Sequence, residues 1–188
     1  MLDYLLEFFR GPLDPSRDWQ RTPGLQLEFE LDTGWLSSAG LGEHYEELAF
    51  LGPSSNRRLA AQGCFEFHDL GISIECDDWH IAEMVALLRD ENAEFRPYTG
   101  KFLFRGREVE LAGATEQSFV EHFGDCYWRA QDDDEIILFY EFPELEWQVE
   151  FDLRGCIKAM DVTNRILMAD EEQRELYGVT KAWPPQFS

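Results

Sequence analysis

The chain has 188 residues, of which 44% are hydrophobic and 14% are aromatic. This size and composition suit one compact domain or two small lobes, and they exclude an intrinsically disordered chain. With 38 acidic residues against 16 Lys and Arg, the formal net charge is −22. Such an excess argues against binding to nucleic acid or to an anionic membrane, and it permits a basic protein partner.

The N-terminal residues carry apolar side chains at helical spacing: Leu2, Leu5, Leu6 and Phe9. They predict an amphipathic helix over 2–10 that ends at Gly11-Pro12. Asp3 and Glu7 interrupt the apolar run and no basic stretch precedes it, so we do not interpret it as a signal peptide. Because no later stretch has the length of a membrane span, we expect a cytoplasmic protein.

Two segments of the chain resemble each other. Residues 65–84 read FEFHDLGISIECDDWHIAEM and residues 140–160 read YEFPELEWQVEFDLRGCIKAM. With one residue inserted, they share seven identities over twenty aligned positions. In both copies apolar residues alternate with polar ones: Ile72, Ile74 and Cys76 in the first, and Trp147, Val149 and Phe151 in the second. This alternation predicts a strand with one buried face in each copy.

Similar elements precede each copy. The sequence predicts a helix at 42–52 before the first copy and another at 114–124 before the second. Thr115 is the predicted N-cap of the second helix, and Gly124 its end. Further upstream, the alternating residues 25–31 predict a strand, and 101–111 predict a hairpin that turns at Arg105–Gly106.

The C-terminal part predicts a short helix at 170–178 with Asp170 as its N-cap, followed by an extended tail. The predicted fold class is α+β, with two tandem repeats of an antiparallel sheet plus a short helix, packed pseudo-symmetrically between N- and C-terminal helices. The predicted units are an N-terminal helix and linker (1–20), repeat 1 (24–92), repeat 2 (100–162) and a C-terminal helix and tail (163–188).

The sequence offers few residues for catalysis or metal binding. Cys76, Asp77 and His80 are ligand-type donors, but a regular strand sends Cys76 and Asp77 to opposite faces, so we expect no metal site. Cys126 and His122 lie four residues apart without a recognisable third catalytic group, so we expect no catalytic residue and no cofactor. The four cysteines form no C-x-x-C pair, and we expect free, mostly buried thiols.

Acidic residues lie two apart on the outward side of both predicted strands. One interpretation is a solvated sheet face; the other is an acidic face that both copies present to a basic protein partner. Strand alternation does not explain Trp79, Trp128 and Trp183, and tryptophan is enriched at interaction hot spots. The candidate binding residues are therefore Glu75, Asp77, Glu150, Asp152, Trp79 and Trp128.

The helix that ends in glycine, YEFPELEWQVEF and CIKAM lie within 115–162, with a degenerate copy at 43–85. This arrangement resembles that of bacterial β-lactamase-inhibitor protein and of small acidic inhibitor or immunity proteins. The resemblance implies a non-enzymatic protein-binding module, although this chain lacks the export signal and evident disulfides, and no functional residue carries over. The alternative is a small-ligand-binding protein or an enzyme with a site in the cleft between the repeats, which a pocket with converging titratable groups would favour.

Overall fold

The computed structural model describes residues 13–89 and 94–185, so the predicted helix at 2–10 lies outside the described residues. The described part is a sheet-dominated α+β fold with a five-stranded and a seven-stranded sheet, which confirms the predicted class. Its strands are β1 (Glu28–Glu30), β2 (Trp35–Leu36), β3 (Ala39–Gly40), β4 (Cys64–Phe67), β5 (Ile72–Asp77), β6 (His80–Leu87), β7 (Lys101–Phe104), β8 (Arg107–Val109), β9 (Trp128–Gln131), β10 (Glu135–Glu141), β11 (Glu146–Asp152) and β12 (Ile157–Thr163). Its α-helices are α1 (Arg57–Ala60), α2 (Glu116–Phe123) and α3 (Glu171–Leu176), and two 3-10 helices span Tyr45–Leu51 and Leu167–Ala169.

The strand order of the smaller sheet is β3-β2-β1-β7-β8, and that of the larger sheet is β4-β5-β6-β12-β11-β10-β9. The strands predicted for the two repeats therefore do not form separate sheets. Instead, β1 pairs with β7 in parallel, and β6 pairs with β12 in antiparallel orientation. An unpaired strand edge exposes its backbone N–H and C=O groups. Pairing the two segments through these edges gives those groups hydrogen-bond partners that they would lack in two separate sheets.

The predicted alternation is confirmed in two strands of the larger sheet, β5 and β11. Ile72 and Ile74 of β5 are buried, as are Trp147, Val149 and Phe151 of β11. Cys76 is only half-buried because the register shifts by a bulge between Glu75 and Cys76. The predicted hairpin turn at Arg105–Gly106 is also confirmed; both residues have positive φ, as a two-residue type I′ turn requires.

The helices follow local capping signals. The Thr115 hydroxyl accepts the N–H of Ser118 at 3.2 Å and α2 ends before Gly124, as predicted. Asp170 caps α3 by accepting the N–H of Glu172 at 2.9 Å. The predicted helix at 42–52 is instead a 3-10 helix, Tyr45–Leu51, whose N-cap His44 makes no side-chain capping bond. Its seven residues make it longer than most 3-10 runs, which rarely exceed three or four residues.

The main core contains buried residues of both sheets, and Trp147 joins them. Its ring is fully buried, and its indole Nε1 donates a hydrogen bond to the Leu31 carbonyl at 2.8 Å. A second, smaller core forms where residues 165–185, here named the C-terminal segment, pack on the other side of the larger sheet. It contains Tyr127, Phe139 and Met168. Among the described helices, none has both the length and the apolar character needed to cross a bilayer.

Candidate functional site

Four carboxylates and a threonine form a row across five strands of the larger sheet, on the face opposite the main core, here named the outer face. The register aligns five residues across β5, β6, β12, β11 and β10: Glu75, Glu83, Thr163, Glu146 and Glu141. Directly opposed side chains in antiparallel strands have Cβ atoms about 4.5–5.5 Å apart, where like charges destabilise the sheet. The row is therefore stable only if cations or protons compensate these carboxylates.

Arg165 compensates one end of the row. Its Nε and Nη2 donate to the two carboxylate oxygens of Asp77 at 2.6 and 2.7 Å, and its Nη1 donates to Glu75 at 2.9 Å. The Nη1 atom is also 3.8 Å from a Glu83 oxygen. The hydrogen bonds from Arg165 lower the pKa of Asp77. Two of the predicted binding acids are thus already held by a cation of the same chain.

At the other end of the row, a proton shared by Glu141 and Glu146 compensates the repulsion between their carboxylates. Glu146 is fully buried, and its oxygens accept hydrogen bonds from Gln148 Nε2 at 2.7 Å and from the Met168 N–H at 3.1 Å. Glu141 is 6% exposed, and no donor of the described residues reaches either of its oxygens. Burial, with the neighbouring Glu146, raises the pKa of Glu141 to about 9. Burial also raises the pKa of Glu146, although the N–H groups that it accepts act in the opposite direction. Because Glu141 accepts no such N–H groups, we assign the proton of the pair to Glu141, from which it can be donated to Glu146.

Asp161 lies in the middle of the same face. It is 8% exposed, and its Oδ1 has no hydrogen-bond partner among the described residues. Burial raises its pKa well above the ordinary value, and the charge of Glu83 adds to this effect. Burial likewise raises the pKa of Glu83. The centre of the outer face is thus carboxylate-rich but mostly closed to solvent.

Glu150 and Asp152 share the outer face but lie at its other end. Glu150 is four residues along β11 from Glu146, or about 13 Å at the rise of a β-strand. Asp152 accepts Arg89 Nη1 at 2.5 Å and the N–H groups that follow it in the turn, and Glu150 is 4.0 Å from Lys158 Nζ. The four predicted acids are thus two separate pairs, each with its own cations, rather than one continuous patch.

Trp79 occupies an unusual backbone position at the β5–β6 turn. Asp78 and Trp79 have φ values of +46° and +67°, which makes the two-residue connection a type I′ turn. Positive φ is rare for a bulky residue, because the side chain then crowds the backbone. Trp79 is nevertheless 42% exposed, and its ring lies 5.1 Å from that of Tyr45. Residues 77–80 and 44–47, here named the acidic tip, surround it with Asp and Glu.

Trp128 lies in a different environment. It is half-buried in β9 and packs against the small core beneath the C-terminal segment. Its indole nitrogen is buried without a hydrogen-bond partner among the described residues. Of the two predicted aromatic contacts, only Trp79 presents a largely open ring.

Within the described residues, the side chains that could bind a metal ion are not grouped into a site. His44 and His80 form an isolated backbone bridge, and their rings are 5.7 Å apart. Within the described ranges, no group of three or more His, Cys, Asp or Glu side chains is arranged to hold a metal ion. The four cysteines are free but half-buried, rather than mostly buried as expected. Burial raises the pKa of the Cys126 thiol, which disfavours the nucleophilic thiolate.

Two neighbouring clefts flank the β10–β11 turn. One, of about 640 Å³, lies between Asp32–Trp35 and the turn, where the two predicted repeats meet. The other, of about 730 Å³, is here named the aromatic cleft. It lies between the β7–β8 turn, the end of α2, the β10–β11 turn and the C-terminal segment. Its lining includes Phe104, Phe123, Tyr140, Phe142 and Trp147, with Arg105, Asp125, Cys126 and Lys181 among the others.

No protein-family model and no curated protein matches the chain. Among solved structures, the chain is similar to a DUF4309 family protein (YjgB) from Bacillus subtilis subsp. subtilis str. 168. The two share 12% sequence identity with a TM-score of 0.45, over 63% of this chain and 75% of that one. A likeness at this level assigns no function, and the resemblance to inhibitor and immunity proteins stays a prediction.

Proposed function

We propose that this protein is a non-enzymatic, cytoplasmic binding module whose acidic tip holds a basic segment of a partner protein. The observation that carries the proposal is Trp79, a large aromatic residue that stands exposed at positive φ. Strained backbone of this kind costs about 1–3 kcal/mol and is concentrated at functional sites. A glycine would form the same turn without strain, so the tryptophan is best explained by a contact that it makes.

The charge around Trp79 supports a basic partner. Asp78, Glu46 and Glu47 are exposed, and no Lys or Arg of the described residues pairs with them. Acidic groups at the rim of an interface mainly raise the association rate, while a central aromatic side chain provides the affinity. The acidic tip offers both features in one place, whereas Glu150 and Asp152 are engaged within the chain.

We also infer that the chain contains two tandem copies, 24–92 and 100–162, packed pseudo-symmetrically. The alignment that matches Met84 with Met160 also matches Val85 with Asp161, an offset of 76 residues in each case. The β6–β12 register pairs Val85 with Asp161 and is symmetric about that pair. This supports a two-fold relation between the two meanders, β4-β5-β6 and β10-β11-β12.

The test is a cross-linking pull-down from the source organism with Trp79→Gly as the main variant. The variant turn has the order Asp-Gly, which is a favoured type I′ sequence. The relief of strain therefore offsets the lost contact with Tyr45, and the fold is expected to stay stable within about 1 kcal/mol. Trp35→Ala is the matched control, because Trp35 is 39% exposed but lies in the smaller sheet. We expect one basic partner that wild type and Trp35→Ala retain, with about 30-fold weaker binding to Trp79→Gly.

A charge variant separates the contribution of Trp79 to the affinity from the contribution of the carboxylates to the association rate. Asp78→Asn keeps a residue that tolerates positive φ but removes one carboxylate. Its association rate should fall, and the salt dependence of that rate should weaken, relative to wild type. If the partner binds Trp79→Gly as tightly as it binds Trp35→Ala, the acidic tip is not the binding site and the proposal is wrong.

A further inference from the structure

The floor of the aromatic cleft includes Tyr140 and Trp147, whose polar groups are already engaged. The Tyr140 hydroxyl donates to the Gly124 carbonyl at 2.8 Å, and the Trp147 indole donates to Leu31. Phe123 packs edge-on against both Phe104 and Trp147, with ring centroids 5.3 and 5.4 Å apart. The floor therefore presents ring surfaces, and it suits a flat apolar body rather than a polar one.

Two cations stand at the rim of this cleft. The Arg105 guanidinium lies 4.9 Å from the Phe104 ring centroid, and it has no hydrogen bond or ion pair within the described residues. Lys181 Nζ donates to the Tyr127 carbonyl at 2.6 Å and reaches the Cys126 carbonyl at 3.5 Å. An ammonium has three N–H groups, so one of them stays available. Within the described residues, neither Arg105 nor Lys181 forms an ion pair with a carboxylate, so both charges are available at the cleft.

We propose that the aromatic cleft binds a small aromatic monocarboxylate, with its ring on the partly exposed side chains of Phe104, Phe123 and Phe142 and its carboxylate between Arg105 and Lys181. Guanidinium and ammonium groups make charge-assisted hydrogen bonds to a carboxylate, and aromatic walls stack on a ring. This site is separate from the acidic tip and does not depend on the function proposed for it.

The charges at the rim favour a singly charged ligand. Asp125 also lines the cleft and is exposed, so the rim carries two positive charges and one negative charge. The net charge of about +1 matches one carboxylate, whereas a phosphate dianion would be left undercompensated in a protein of formal charge −22. Glu141 lines the cleft as well, but burial raises its pKa to about 9, so it adds no charge at neutral pH.

The experiment titrates the full chain with 2-naphthoate and with its uncharged analogue, 2-naphthamide, by calorimetry and by amide NMR. We expect saturable naphthoate binding with a Kd on the order of 0.1 mM, and binding of the amide that is about tenfold weaker. NMR shifts should concentrate on residues that line the cleft, such as Arg105, Cys126 and Lys181. Arg105→Gln and Lys181→Gln should each weaken naphthoate binding several-fold, and the double variant should bind acid and amide alike.

Arg107→Gln is the matched control. Arg107 is exposed on β8, two residues from Arg105, and it does not line the cleft. Its replacement by glutamine changes the net charge of the protein by the same amount as Arg105→Gln does, but leaves the cleft lining intact. Binding to this variant should equal that of wild type. The proposal is overturned if naphthoate does not saturate, if the amide binds as tightly as the acid, or if Arg107→Gln weakens binding as much as Arg105→Gln does.

Discussion

Replacing Glu141 with glutamine should stabilise the protein at alkaline pH and change its stability little at pH 5. The native protein holds a proton on Glu141 that the unfolded chain releases above its ordinary pKa of 4.5. The free energy of unfolding therefore falls as pH rises from about 4.5 to about 9, and it levels off above that pH. Glutamine is neutral at every pH, and its amide N–H can donate to Glu146 in place of the proton.

The size of the effect follows from this pKa. A rise from 4.5 to about 9 spans 4.5 pH units at about 1.4 kcal/mol each, or about 6 kcal/mol as an upper limit. The C-terminal segment covers the Glu141–Glu146 pair with few buried residues and can open locally, which limits the cost of ionisation. We therefore expect the free energy of unfolding of Glu141→Gln to be higher than that of wild type by about 2–3 kcal/mol at pH 8 and by less than about 1 kcal/mol at pH 5.

Urea unfolding at pH 5, 6, 7 and 8, followed by tryptophan fluorescence, measures this difference. Glu146→Gln is the matched control, because it removes the other carboxylate of the pair. Glu146 accepts two hydrogen bonds, from Gln148 Nε2 and the Met168 N–H, and a glutamine offers only one oxygen for them. Glu146→Gln should therefore destabilise the protein. If Glu146→Gln is more stable than Glu141→Gln at pH 8, the proton lies on Glu146 and the assignment is refuted.

Two further predictions concern single contacts. Arg165→Ala should lower the free energy of unfolding by about 1 kcal/mol at pH 7, because it leaves Glu75 and Asp77 beside each other without a cation. Added salt should shrink this deficit, and a deficit equal at 50 mM and 500 mM NaCl would contradict the reasoning. Thr115→Ala should cost about 1 kcal/mol in thermal or urea unfolding because α2 loses its capping box with Ser118, while Thr115→Ser should restore it.

The elements that could be predicted from the sequence are those that depend on near neighbours. The Thr115 cap needs only the N–H three residues later, and the Arg105–Gly106 turn needs only positive φ at two adjacent positions. The buried faces of β5 and β11 follow from the period of two in each strand. In contrast, the parallel pairing of β1 with β7 joins residues more than seventy positions apart, and no local pattern reports it.

The candidate site shows why alternation predicts a face but not its environment. Glu141 and Glu146 are in phase with the outward side of their strands, so the sequence pattern would place them in water. They are buried because the C-terminal segment brings Met168 across that face, and its N–H then becomes a donor to Glu146. The same segment supplies Arg165, which turns two predicted binding acids into an internal ion pair. Whether Glu75 and Asp77 are free for a partner is thus decided by Arg165, which follows the second predicted repeat. Trp79 could be recognised in advance only because it departs from alternation, and its positive φ is the reason for that departure.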